Sequence, residues 1–137
     1  MNKHRYYLDI AYAVAQKSTC LKKHYGAVIV KNGEIIATGY NGAPRGEKHC
    51  VICSKCNSGK DINTYLSCRS VHAEMNAIIS AARRDMIDST LYLACDSSEC
   101  KIIDPEPCNI CERLIKNAGI KEVITEQGIV FIGGNNE

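Results

Sequence analysis

No apolar run in this chain approaches membrane-spanning length, and its first residues carry no apolar stretch of the signal-peptide kind. Strong charge of either sign is missing as well. The balance is +2 at pH 7 with a pI near 8.1, too mild to form a nucleic-acid surface on its own. Internal repeats, linkers and low-complexity tracts are absent, which argues against solenoids and disordered tails. What remains is a single domain over residues 1–137, expected in the cytoplasm and long enough to bury a real core.

Cysteine is the residue in excess, at nine. Thiols stay reduced in the cytoplasm, so metal ligation is favoured over a disulfide framework. The odd count agrees, because nine cannot pair completely within one chain.

Residues 2–16 contain no Gly or Pro and read as a helix with Leu8, Ile10, Ala11 and Val14 apolar, ended by Ser18-Thr19-Cys20. Residues 26–30 and 34–40 flank Asn32-Gly33, the strongest short hairpin signal. The stretch 40–46 is turn-rich. Residues 47–69 show little periodicity but hold Cys50, Cys53, Cys56 and Cys68. A metal would fix such an insertion by replacing the burial it lacks. Ser70 is the expected cap of a helix over 71–84, with Met75, Ile78 and Ile79 assigned to the core. A strand over 90–94 leads into a polar loop with Cys95 and Cys100 at or near its start. Pro107 falls in the first turn of a helix reaching Asn117, with Gly119 as its C-cap. Strands are expected over 121–125 and 128–132, and residues 133–136 should fray. This order predicts an α/β sandwich around a mixed sheet. Its first two strands should be antiparallel, and the strand–helix–strand unit after Thr90 parallel.

Chemistry concentrates in two short stretches, His72-Ala73-Glu74-Met75-Asn76 and Pro107-Cys108-Asn109-Ile110-Cys111. One imidazole and two sulfurs suit a tetrahedral Zn²⁺ with its fourth position open to water. Cys108 and Cys111 are three apart, so on a helix both thiols lie on one face, and a helix start favours their thiolates. His72 and Glu74 open another predicted helix. At a first turn one can hold the ion while the other reaches its water, whose pKa the ion lowers to about 7. A closed structural site, built from His72, Cys108, Cys111 and a fourth cysteine, is the competing reading. A lone surface histidine is the blander one.

At these residues the sequence resembles the zinc-dependent cytidine and deoxycytidylate deaminases, whose pattern joins His-x-Glu to Pro-Cys-x-x-Cys. It is most similar to the deoxycytidylate (dCMP) deaminase branch, through Ser18-Thr19-Cys20, the run from Gly26 to Val30, the run from Gly39 to Gly46, His49-Cys50, Cys68-Arg69 and the run from His72 to Ile78. The resemblance covers roughly residues 5 to 125. It implies a three-layer α/β/α sandwich around about five strands. It also implies a catalytic zinc on His72, Cys108 and Cys111, with Glu74 moving protons as dCMP becomes dUMP and ammonia. Asn41 and Ala73 would contact the nucleotide, and Lys23 or Arg45 would pair with its phosphate. A second, structural zinc would sit on Cys20, Cys50, Cys56 and Cys68, with Cys53 as substitute for Cys56. Such enzymes are usually homo-oligomers, with neither membrane nor nucleic acid as an expected partner. The loop from Cys95 to Glu106 is longer than the family's and borders the expected mouth. Two other functions fit the same residues: deamination of cytidine, a modified pyrimidine or an RNA base, and a non-catalytic zinc-stabilised binding module linked to DNA uptake.

Overall fold

The Asn32-Gly33 turn sets the first pairing. In the computed structural model, which describes residues 2–21, 23–49, 68–96 and 107–133 (Ile132 by its backbone only), both residues have positive φ, 52° and 78°. Two left-handed residues make the turn whose twist matches that of the flanking strands. Strands β1 (His24–Lys31) and β2 (Glu34–Tyr40) therefore pair antiparallel, closing at Lys31 and Glu34. The other edge of β1 pairs antiparallel with β3 (Thr90–Asp96). Strand β3 runs parallel to β4 (Glu122–Thr125), and β4 turns back into β5 (Gly128–Ile132). The mixed five-stranded sheet has the order β2-β1-β3-β4-β5. Both expected pairings, antiparallel at the start and parallel after Thr90, are present.

Alternation along the strands divides the core in two. Val28, Val30, Tyr92, Ala94 and Ile124 face Tyr7, Leu8 and Ala11 of helix α1 (Lys3–Ala15). Ala27, Ile29, Leu91, Leu93 and Val123 face the opposite layer. That layer holds α2 (Ala73–Ile79), the single turn α3 (Arg83–Met86) and α4 (Asn109–Ala118), which contribute Ala73, Ala77, Met86, Ile115 and Ala118. The chain is thus a three-layer α/β/α sandwich.

Two glycines set how closely the helices approach. A Cβ on Gly26 would collide with the Ala11 carbonyl oxygen and lie 2.7 Å from Ala15 N, both backbone atoms of α1. On the other face, a Cβ on Gly39 would strike the backbone at Ala73 and Ala77 of α2. Only a bare Cα lets β1 and β2 lie this close to both layers.

The structure corrects the sequence reading at four places. Ser70 is not the cap of the second helix. Val71 and Gly42 exchange backbone hydrogen bonds of 2.7 and 3.1 Å, which holds residue 71 extended and moves the cap to His72. The expected helix over 71–84 also ends at Ile79, and the backbone is extended at Ala82 before α3. That break turns Met86 back into the core, where it is 3% exposed, a tertiary gain that overrides good local propensity. Ile79, assigned to the core, is 75% exposed, because Ala73 and Ala77 carry the buried face of α2. In α4 the cap is Cys108, so Pro107 precedes the helix rather than entering its first turn. The polar loop at 97–106 and residues 134–136 lie outside the described residues.

Gly39→Ala should lower stability by about 3 kcal/mol, since the clash is with backbone that cannot rotate away. Urea unfolding of the variant, compared with an exposed substitution such as Ile129→Thr, measures it.

Candidate active site

Two helix starts in the α2/α4 layer bring the reactive side chains together. His72 is the N-cap of α2 and Cys108 the N-cap of α4, both with extended backbone. The Cys108 sulfur accepts the Cys111 backbone N–H at 3.4 Å, so a sulfur occupies the place of a capping oxygen. His72 Nδ1 then lies 3.2 Å from Cys111 Sγ and 3.4 Å from Cys108 Sγ. All three donor atoms fall within 4.8 Å of one another. Zn–N of about 2.0 Å and Zn–S of about 2.3 Å at tetrahedral angles would put nitrogen and sulfur about 3.5 Å apart. The observed separations match that edge, and the donors are of the soft and borderline kind zinc takes. Among the described residues no fourth histidine, cysteine or carboxylate joins this cluster.

Glu74 lies in the first turn of α2, 5% exposed, and hydrogen-bonds with the Cys111 side chain. Burial pushes its carboxyl above the usual range, opposed by its backbone N–H and by His72. The two thiols divide sharply. Cys108 is pulled down to about 3, chiefly by the hydrogen bond from Cys111 and further by His72. Cys111 is pushed up by the same bond, by burial and by the charge on Glu74. One sulfur is thus a ready ligand and the other holds a proton that an incoming cation must displace.

The loop after β2 is fastened beside this cluster. Asn41 is buried, and its Oδ1 accepts from Tyr25 N at 2.8 Å and Ser18 Oγ at 2.6 Å. Its Nδ2 donates to the Lys23 carbonyl at 2.9 Å. The next residue, Gly42, is the one bridged to Val71, immediately before His72. Asn76 Nδ2 donates to the Tyr40 carbonyl at 2.8 Å and ties α2 to the same loop. Ala73 is fully buried beside His72. Lys23 is half-buried with its carbonyl engaged by Asn41, and Arg45 is exposed on the loop. Of the second metal set, Cys20 and Cys68 are half-buried free thiols, and Cys50, Cys53 and Cys56 lie outside the described residues. The sequence reading assigned no role to Ser18. Its link to Asn41 spans 23 positions and leaves no local pattern.

The cytidine and deoxycytidylate deaminase zinc-binding region matches residues 1–127. The chain belongs to that family. It is 40% identical over 125 residues to a deoxycytidylate deaminase of Mycobacterium phage D29, covering 87% of this chain and 90% of the phage protein. It is 38% identical to the Schizosaccharomyces pombe deoxycytidylate deaminase over 87% of its own length, but spans only 35% of that longer protein. Among solved structures, the dCMP deaminase of cyanophage S-TIM5 superposes with a TM-score of 0.65 at 28% identity, covering 91% of this chain and 84% of the cyanophage chain. The cyanophage enzyme has also been solved in complex with dCMP and dUMP, and that form matches with a TM-score of 0.64 at 27% identity. As a family member the chain carries a zinc-binding domain, and His72, Cys108 and Cys111 form its candidate metal site.

Zinc uptake should release at least one proton near pH 7, from Cys111, and affinity should fall as the pH is lowered. Titration calorimetry in buffers of different ionisation enthalpy counts the protons. Chelator competition between pH 6 and 8 should show the slope, and a flat profile would contradict the shared-proton thiol pair.

Proposed function

We propose that this chain hydrolyses dCMP to dUMP and ammonia. His72, Cys108 and Cys111 hold the zinc in this reading, and Glu74 carries the protons. The observation behind it is the meeting of those three donors with a buried carboxylate, in a chain nearly coextensive with a phage deoxycytidylate deaminase.

Zinc held at these donors would supply Lewis acidity, bringing the pKa of a bound water down to about 7. Glu74 receives the proton that the attacking water gives up. The water oxygen adds to C4 of the cytosine ring, and Glu74 protonates N3. Glu74 then takes the hydroxyl proton from C4 and passes it to the 4-amino group, which leaves as ammonia as the C4–N bond breaks and the C4 carbonyl forms, so one carboxyl serves as base and then as acid. Its burial suits both halves: a carboxyl raised towards neutrality accepts a proton readily and still returns it.

Ala73 and Asn41 are the proposed nucleotide contacts. First-turn N–H groups such as that of Ala73 have no acceptor within their own helix. Asn41 reaches the sugar from the fastened loop. Lys23 and Arg45 are the proposed cations for the 5′-phosphate. The same reading places a structural zinc on Cys20, Cys50, Cys56 and Cys68, with Cys53 as substitute for Cys56. It treats residues 1–137 as one domain of a cytoplasmic homo-oligomer.

Glu74→Gln should keep the zinc while losing about 10²–10⁴-fold in kcat, the usual range for a general acid–base group. Ammonia release and metal content measured on one sample test this, and full activity in the variant would end the mechanism. A panel of dCMP, deoxycytidine and cytidine tests the substrate. Preference for dCMP should fall about tenfold or more in kcat/KM when the phosphate's cation is removed by Lys23→Ala or Arg45→Ala.

A further inference from the structure

The polar groups around Asn41 carry more than a loop anchor. Its amide cannot turn over, because two backbone groups demand opposite chemistry on its two ends. The Tyr25 N–H requires an acceptor and the Lys23 carbonyl requires a donor. Oxygen and nitrogen are therefore fixed in place. One Nδ2 hydrogen goes to Lys23, and the second meets no acceptor among the described residues. Asn41 can thus offer a ligand one thing, a single N–H donor.

Ser18 determines the direction of that donor. Its hydroxyl lies 2.6 Å from Asn41 Oδ1 and 2.8 Å from the Asn41 carbonyl oxygen, and it accepts the Cys20 N–H at 3.2 Å. One hydroxyl proton is shared between the side chain and the main chain of the same residue. Without it, the amide would pivot about its bonds to the 23–25 backbone. Ser18 sits just past the end of α1, its N–H donating to Ala15 O at 3.0 Å, so its own position is set by the helix. The Gly42–Val71 bridge then fixes Asn41 relative to His72.

We propose that Ser18 is a positioning residue, which aims the one uncommitted N–H of Asn41 at the bound nucleotide. The proposal rests on the deaminase reading, since it takes Asn41 as a contact to the substrate. Asn41 acts away from the reacting ring carbon, so loss of its aim removes binding common to ground and transition states. Such a loss raises KM and spares kcat.

The test is a double-mutant cycle on the zinc-loaded full chain. Ser18→Ala should raise KM for dCMP about tenfold with kcat within about twofold, and Ser18→Thr, which restores the hydroxyl, should recover most of it. In an Asn41→Ala background, Ser18→Ala should add less than about twofold, because the group it aims is gone. Asn41→Asp, which keeps the acceptor and removes the donor, serves as the background if Asn41→Ala does not fold. Multiplicative effects, a fall in kcat at constant KM, or no rescue by threonine would each overturn the proposal. Inactivity of the unmutated protein on the whole nucleotide panel would instead sink the deaminase reading. The side-chain amide resonances of Asn41 then decide the positioning claim by themselves. They should shift and exchange faster with water in Ser18→Ala, and unchanged resonances would refute it.

Discussion

Everything at the site depends on one backbone exchange, the pair of hydrogen bonds between Gly42 and Val71. Residue 71 is held extended by that pair, so the helix cannot begin before His72. A histidine at the cap keeps extended backbone and projects its ring beyond the helix end, where the two sulfurs of α4 lie. With the cap two residues earlier, at Ser70, the same histidine would lie in the first turn and point about 100° around the axis for each position gained. The bridge thereby converts a sequence spacing into a donor triangle. It also joins the loop that carries Asn41 to the helix that carries His72 of the candidate metal site, so one constraint places both.

The rest of the sandwich keeps that geometry rigid. Gly39 lets β2 touch the backbone of α2, while Ile115 and Ala118 seat α4 on the same sheet face. Both helix starts are therefore referenced to one set of strands. Close-packed interiors resist small displacements, and the donors stand within a few tenths of an ångström of the spacing zinc requires. Glu74 gains its buried position from this packing too. A carboxyl one turn further along a solvent-facing helix would keep its ordinary acidity and make a poor proton shuttle at neutral pH.

Much of this was legible in the chain. The clustering of His72, Glu74, Cys108 and Cys111 could be read because these side chains are of the metal-ligating and proton-carrying kinds and their spacing at two helix starts is local. The hairpin was legible for a similar reason, since Asn32-Gly33 is the turn and needs no distant partner. Apart from the cap at Cys108, set locally by Cys111, the misplaced features depend on tertiary contacts. The cap at His72 is set by the Gly42–Val71 bridge, which spans 29 positions. The break after Ile79 follows from the burial of Met86 against the sheet. Composition could not show it, because Ser80 to Arg84 are acceptable helix formers. The exposure of Ile79 follows from the same short helix, whose apolar face is complete with two alanines.

The two asparagines illustrate where pattern reading stops and structure must take over. Asn76 and Asn41 both hold the loop after β2, but from opposite sides and with different reserves. Asn76 ties Tyr40 to α2 from a partly exposed position, where water can substitute for a lost partner. Asn41 is buried, with its acceptor doubly engaged and one donor committed to Lys23. Its second N–H meets no acceptor among the described residues, and a buried donor without one is held at a cost. In an enzyme the natural completion is a bound ligand. In the proposed reading a hydroxyl or ring oxygen of the nucleotide supplies that acceptor. Selectivity at such a position comes from rejecting ligands that lack the acceptor, because they leave the donor unpaired. Under the proposed deaminase reading, the group that discriminates among substrates is therefore the amide fastened beside the candidate metal donors.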